Sequence, residues 1–333
     1  MSHFVQQQHT INAFSSSDSW VILSPIEQSI KQKIEAVGVP LKDWDIQINY
    51  GIKTGCNEAF IINTDKRNEI LANCKDKAER KRTEELIRPI LRGRDIKRYG
   101  YEWAGLWLIA TFPARHYDIE QYPAVKEYLL SYAEDYLRKS GCEWVVDDYL
   151  ADFCEQKLSQ TGKYIVINGK ELTINGKKEK ARKKTSNKWF ETQDSISYWE
   201  DFNKPKIIYP NMTKYMPFVF DDKKYLTNQK CFIITGKYVA YLTAFFNSAL
   251  FKYCFRDSFP ELQGGTRELS KIFFDKIPIY EVSDVQNLQF YDAIEDIQKE
   301  YTKQKALRID SMLFDLYDLT DEERRAIGYF EIQ

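Results

Sequence analysis

The stretch YGIKTGCNEAFII, Tyr50 to Ile62, sets two glycines around a Lys-Thr pair and then runs into apolar residues. Lysine and threonine beside glycine are what a phosphate-cradling P-loop offers. The spacing is wrong for one. A P-loop places glycine directly before Lys-Ser/Thr, with another glycine about five residues earlier, so that backbone N–H groups wrap a phosphate ahead of a helix. Here Ile52 precedes Lys53, and Gln47 stands where the earlier glycine belongs. The flanks differ too. Ile46, Ile48 and Tyr50 alternate before the loop and Phe60-Ile61-Ile62 follows it, which predicts strand, loop and strand. Gly51 and Gly55 permit backbone angles that other residues avoid, and Lys53, Thr54 and Asn57 add a cation and two short hydrogen-bonding side chains. Such a loop can touch a nucleic acid or simply turn between paired strands. Gly51 and Gly55 are expected to be structural, with Lys53 a candidate contact.

Working outward, SPIEQSIKQKIEAVG reads as a helix with Ser24 at the N-cap, Pro25 at the first position, Ile26, Ile30 and Ile34 on one face, and Gly38 at the end. Residues 1–19, rich in Gln and Ser, are expected to form a disordered arm. Downstream, the pattern predicts a charged helix over Lys66–Leu86, a strand over Gly105–Phe112 and a helix from Tyr122. YIVINGKELTING predicts a hairpin turning at Asn168-Gly169. Strands follow at PKIIYP and QKCFII, then an apolar helix over Tyr238–Phe255, a glycine-rich turn at Gly264-Gly265 and a closing strand. From Val285 to Tyr317 the pattern changes. Phe290, Ile294, Ile297 and Tyr301 recur at helical steps, the pattern slips by one, and it restarts at Ala306, Ile309, Leu313 and Leu316. A stripe of that length must be covered, by a partner helix or by the core of the same chain.

Composition narrows the function classes. Aromatics make up 15% of the 333 residues, which favours sheets and surfaces that mix apolar bodies with polar tips. The net charge is −1, so a nucleic-acid surface must come from local clustering. Cys56, Cys74, Cys142, Cys154, Cys231 and Cys254 are scattered with no Cys-x-x-Cys, and two of the three histidines lie near the N-terminus. That distribution argues against zinc and for free thiols in a reducing compartment. Met1–Ser19 is polar, unlike a signal peptide, and no apolar run approaches the roughly 20 residues of a membrane span. The expectation is a cytoplasmic protein with no membrane partner.

Catalytic motifs are missing: there is no Gly-x-Ser-x-Gly elbow and no Gly-x-Gly-x-x-Gly, and His116 is the sole interior histidine. Glu155-Gln156-Lys157 has the Glu-x-Lys form of metal-dependent nucleases, with Asp147, Asp148 and Asp152 upstream. The alternative is solvated charge on a helix surface. Two basic tracts stand out. Ile87–Trp103 carries Arg88, Arg92, Arg94, Lys97 and Arg98, and Lys177–Lys188 has seven cations and one acid in twelve residues. Cations displace counterions along phosphates, and arginines such as Arg92, Arg94 and Arg182 can address guanine in bidentate fashion. The candidate DNA contacts are Lys53, Arg92, Arg94, Lys97, Arg98, Lys177, Lys178, Lys180, Arg182, Lys183, Lys184, Asn187, Lys188 and Arg267, the last just after Gly264-Gly265. For each tract the competing reading is a solvated charged surface.

Six segments in order carry a resemblance. They are SPIEQSIKQKIEAVGVPLKDWDIQINYGIKTGCNEAFII, IRPILRGRDIKRYGYEW, KWFETQDSISYWEDFNKPKIIYPNM, YVAYLTAFFNSALFKY, GGTRELSKIFFDKIPI and IDSMLFDLYDLTDEERRAIG. Together, over residues 20–330, the chain resembles the C-terminal target-recognition region of TaqI-like and Eco57I-like adenine-specific DNA methyltransferases, including type IIG restriction–modification enzymes. The resemblance implies an α+β fold: a sheet-rich target-recognition domain over 20–282, then a small helical, spacer-like domain over 283–333. It implies sequence-specific binding of double-stranded DNA. The methyltransferase domain or subunit, with its S-adenosylmethionine and Asn-Pro-Pro-Tyr/Phe motif, is not in this chain, and no cofactor is expected here. Within the family the Gly-x-x-Thr-Gly-x-Asn loop marks the recognition fold. Two other readings stay open: a scaffold whose C-terminal helices dock a methyltransferase partner, and a Mg²⁺-dependent nuclease centred on Asp148, Glu155 and Lys157.

Overall fold

The Tyr50–Ile62 loop is a crossover between two sheets. The structure, a computed structural model, describes residues 23–159, 163–181 and 185–329; the arm expected over 1–19 lies outside them. The strand before the loop, β1 (Ile46–Tyr50), ends one four-stranded sheet, and the strand after it, β2 (Ile61–Asn63), ends another. The two strands are therefore not partners. A helical turn at Asn57–Phe60 completes the passage from sheet to sheet.

The first sheet runs β6–β5–β8–β1, from Val219–Asp221 (β6), Lys206–Pro210 (β5) and Cys231–Gly236 (β8), all antiparallel. The second runs β7–β3–β4–β2, from Leu226–Thr227 (β7), Ile87–Leu91 (β3) and Leu106–Ile109 (β4), with β7 parallel to β3. Alternation along β5 and β8 explains their unbroken apolar runs. Ile207, Tyr209, Phe232 and Ile234 enter a helical core on one side, while Ile208, Cys231 and Ile233 meet Ile90, Leu108 and Leu226 of the second sheet. A strand buried on both faces leaves no polar positions to read.

Helix α1 (Pro25–Val37) starts with the expected cap: Ser24 Oγ accepts from the Glu27 N–H, and Glu27 accepts in return from Ser24. The expected charged helix divides into α2 (Thr64–Ala72) and α3 (Lys77–Leu86), because Asp76 turns out of helical geometry and caps α3 through the Ala78 and Glu79 N–H groups. The same correction applies to Tyr238–Phe255. Ser248 is extended and caps a second helix, leaving α6 (Val239–Asn247) and α7 (Ala249–Phe255). Between them in the chain lie α4 (Pro123–Lys139) and α5 (Glu143–Cys154).

The C-terminal pattern gives α8 (Asp284–Lys299), α9 (Lys303–Leu316) and α10 (Asp321–Ile327), with the slip in periodicity falling at the break before Thr302, the cap of α9. Phe290, Ile294, Ile297, Ala306, Ile309 and Leu313 are all buried in the core that contains Tyr241 and Phe245. Each such side chain contributes about 1.5–3 kcal/mol on burial. The stripe is covered by its own chain except at Tyr301, which is exposed, and Leu316, which is half-buried.

Residues 163–181 form a small three-stranded knob. Val166–Ile167 pairs with Lys170–Glu171, Thr173–Ile174 pairs with Lys177–Lys178, and Tyr164 bridges to Lys180, joining the first strand to the third. Its turns are Asn168-Gly169, as expected, and Asn175-Gly176, with φ of 48°, 72°, 49° and 74°. Positive φ at both central residues is what a two-residue hairpin turn with the strands' own twist requires. Ile165, Ile167, Leu172 and Ile174 pack on Leu137, Val145 and Phe153 of α4 and α5, a core of their own. All six cysteines are free, and among the described residues no helix is long and apolar enough to cross a membrane.

Candidate nucleic-acid interface

The crossover loop is pinned by its backbone. The Gly51 N–H donates to Cys231 O (2.8 Å), and a Cβ on Gly51 would meet Asn228 O at 2.0 Å. Gly55 has φ of 82°, and Thr54 Oγ1 donates to Asn57 Oδ1 (2.7 Å). The carbonyl of Lys53 accepts from Gln193 and Asp194, while the carbonyl of Gln193 accepts from Asn187 Nδ2 (2.8 Å). The fold thus joins Lys53 to the end of the second basic tract, which is remote in sequence.

That second tract does not act as one loop. Lys177, Lys178 and Lys180 are exposed on the third strand of the knob, and Lys178 is paired with Glu171 at 2.5 Å. Asn187 spends both amide donors on the Thr192 and Gln193 carbonyls, and Lys188 is exposed beside it. Arg182, Lys183 and Lys184 lie outside the described residues.

The first tract divides by direction. Arg92 is held by Asp95, which accepts from its N–H, Nε and Nη2 at 2.8, 3.0 and 2.8 Å. Those bonds raise the Arg92 pKa above its usual value. Arg94 points out from the same turn. Lys97 is exposed and lies 3.5 Å from the exposed Glu102, a surface pair worth little. Arg98 turns inward: Nε and Nη2 donate to Asn247 O (3.1 and 2.9 Å), and Nη1 donates to the Tyr301 hydroxyl (3.2 Å). Burial works against its charge, but Tyr99, Tyr301, Asp310 and Tyr329 together hold its pKa up. Arg267 is not on an open turn. It is 7% exposed and donates to Phe259 O, Asp257 and Glu261, which ties down the segment before it.

Arg94, Lys97 and Arg98 line a groove of about 770 Å³, together with Pro210, Met212, Thr213, Tyr215, Pro217, Tyr301, Lys303 and Tyr329. The lining holds four cations and no carboxylate. Met212 and Tyr215 are 45% and 51% exposed, presented by a turn in which Thr213 Oγ1 accepts from the Tyr215 and Met216 N–H groups. Lys303, Tyr301, Tyr329, Met212 and Tyr215 were outside the candidates read from sequence; only the N-cap at Thr302 hinted that Lys303 opens a helix.

The nuclease constellation does not assemble. Lys157 pairs with Glu179 and lies over the Tyr136 ring, and Asp148 and Glu155 face solvent. Among the described residues no group of three or more His, Cys, Asp or Glu is arranged to hold a metal ion.

A mixed α+β protein with a cationic, tyrosine-bearing groove is the class that this geometry defines. Residues 155–279 match the family model of the TaqI-like C-terminal specificity domain. No curated protein matches the chain. Among solved structures, the type IIG restriction endonuclease BpuSI is 13% identical with a TM-score of 0.48, over 92% of this chain and 34% of that one. The type IIL restriction-modification enzyme MmeI, solved in complex with DNA, is 9% identical with a TM-score of 0.44, over 84% of this chain and 33% of that one. This chain spans about one third of each.

Proposed function

We propose that the chain is the double-stranded DNA recognition module of a restriction–modification or phage-exclusion system. In this reading an adenine-N6 methyltransferase domain or subunit outside the chain holds S-adenosylmethionine and performs the chemistry, in the cytoplasm. The observation that carries the reading is the groove: four cations, exposed aromatic surface and no carboxylate in its lining, in a protein of net charge −1. Clustered cations without acids raise the local potential enough to gather phosphates. The matched specificity domain supports the same reading.

Arg94 and Lys97 are the phosphate contacts of the groove, with Arg98 its buried support. The knob, with Lys177, Lys178 and Lys180 on one exposed strand, is the candidate base reader, since a β-ribbon fits the major groove. Lys53 and Lys188, brought together through Gln193 and Asn187, are further backbone contacts. Arg92 and Arg267 act through Asp95, Asp257 and Glu261 and shape the surface without reaching DNA. The scaffold reading loses its main support because most of the C-terminal stripe, from Phe290 to Leu313 apart from Tyr301, is buried in the chain's own core.

The test is fluorescence anisotropy of the whole chain with a random-sequence duplex pool at low and moderate salt, followed by sequencing of the retained DNA. A recovered motif is the expected result. Absence of duplex binding at low salt overturns the reading.

A further inference from the structure

We propose that the C-terminal helices form the second wall of the DNA groove, with Lys303 its phosphate contact and Tyr301 and Tyr329 the supports that position it. This rests on the DNA reading above and extends it to a segment whose expected role was spacing or docking. Three stretches build the groove: the turn and hairpin from Gly93 to Arg98, the turn from Pro210 to Pro217, and Tyr301, Lys303 and Tyr329 from the C-terminal segment. Only the middle stretch lies within the matched 155–279.

The walls are bonded to each other. Arg98 reaches across from the first wall to the Tyr301 hydroxyl (3.2 Å), and Tyr301 and Tyr329 share a hydroxyl–hydroxyl bond of 2.9 Å. The Arg98 guanidinium lies 5.7 Å from the Tyr329 ring centre and the Lys303 ammonium 4.7 Å from it, so one ring borders both cations. Beneath them, Asp310 of α9 accepts from the Ala249 N–H (2.9 Å), at the start of α7. Burial of Ala306, Ile309 and Leu313 then fixes α9 against the rest of the core. A wall held in this way does not swing as a spacer would.

Charge identifies what the second wall binds. Lys303 is exposed and has no carboxylate partner among the described residues, and neither has Arg94. Lys303 is also the first residue of α9, so the positive end of a fourteen-residue helix adds to its field. Two such cations on one groove, with Lys97 only loosely paired to Glu102, raise a positive potential there that an anion relieves. A nucleic-acid phosphate passing between Arg94 and Lys97 on one side and Lys303 on the other meets that need, with Tyr215 and Met212 against the sugar or base.

The experiment measures the salt dependence of duplex binding for the whole chain and for three variants, over about 50–200 mM salt, where each phosphate contact contributes about 0.9 to the slope of log K against log salt. Lys303→Gln is expected to weaken binding several-fold and lower the slope by about 0.9, as one lost contact should. Arg94→Gln is expected to behave alike. Lys299→Gln, an exposed cation on the last turn of α8 and outside the groove, is expected to leave both unchanged. Thermal midpoints check that each variant is folded. Wild-type slope and affinity in Lys303→Gln, with Arg94→Gln reduced, would overturn the second wall and leave the DNA reading standing. Equal losses in Lys303→Gln and Lys299→Gln would overturn it as well, since the effect would then be net charge alone. A wild-type chain that binds no duplex sinks both.

Discussion

Lys206 and Asp221 face each other across β5 and β6, and neither side chain touches solvent. The ammonium donates to Asp221 Oδ2 (2.5 Å) and to Phe202 O (2.9 Å), and the carboxylate also accepts from the Lys223 and Tyr225 N–H groups. Burial lowers the Lys206 pKa, and Asp221 opposes that shift. The pair therefore holds the end of the first sheet to the loop that leads into β7. Breaking a buried pair from one side leaves an uncompensated charge. Lys206→Met is expected to cost about 3–5 kcal/mol in urea unfolding, and Lys206→Met with Asp221→Leu distinctly less than the two single losses combined. Additive losses in that cycle would show that the two groups do not act as a pair.

Gly51 is the point where the crossover has no room for a side chain. Its Cβ would sit 2.0 Å from the Asn228 carbonyl oxygen, which is backbone and cannot rotate away. Gly51→Ala is expected to destabilise the fold by several kcal/mol, because the added methyl clashes with fixed backbone at a packed site. Gly100→Ala, with nothing within 4 Å of the added atom, is the matched control and should be within about 0.5 kcal/mol of wild type. Thermal unfolding of the two variants decides it; similar midpoints would mean the crossover is looser than its geometry.

These two sites show what the sequence could and could not convey. Local chemistry was legible: Ser24 and Pro25 began a helix, Asn168-Gly169 turned a hairpin, and Gly51 and Gly55 were structural. The divided helices were legible in principle too, since Asp76 and Ser248 are good caps, but each lies inside a run whose periodicity continues across it. Pairing was not legible. Nothing near Tyr50 or Ile61 says that the two strands belong to different sheets, because strand partners are chosen by residues far away. The same limit applies to the groove. Arg94 and Arg98 are four residues apart in one basic tract, yet one faces solvent and the other is consumed by Asn247 and Tyr301. A cation's availability is set by tertiary neighbours, which a count of charges does not contain.

Glu323 ties α10 to α1 and gives the fold an acid-sensitive contact. It accepts from Ser29 Oγ (2.7 Å), Lys33 Nζ (2.8 Å) and the Thr320 N–H (2.7 Å). Burial alone would raise its pKa, but the bonds from Lys33, Ser29 and Thr320 prevail and bring it down to about 2. A carboxyl depressed in the folded state stabilises above its ordinary value of 4.5 and loses that contribution as pH falls toward 2. The contribution at neutral pH is of the order of 2–3 kcal/mol. Asp310 works in the opposite sense: burial lifts its carboxyl to about 6, so its ionisation costs stability as pH rises toward that value. Urea unfolding of wild type and Glu323→Gln between pH 3 and 7 should therefore give curves that converge on acidification. Parallel curves would remove Glu323 from the acid response.

The knob offers the sharpest division between reading and mere charge. Lys177 and Lys180 are exposed and unpaired by any carboxylate among the described residues, while Lys178 lies 2.5 Å from Glu171 and is partly neutralised before DNA arrives. If all three met phosphates equally, their replacements would be interchangeable. The pairing predicts otherwise. Lys177→Gln with Lys180→Gln is expected to lower the salt slope of duplex binding by up to about 1.8, at roughly 0.9 per contact. Lys178→Gln should change it by less, because Glu171 is left behind as a new negative charge that costs affinity without counting as a lost contact. Sequencing of the retained DNA adds the second readout: a cation that only positions the duplex lowers affinity for all sequences alike, whereas one that reaches a base edge relaxes the motif at one position. A double variant with unchanged slope and unchanged motif would take the knob out of the interface and leave the groove as the whole of it.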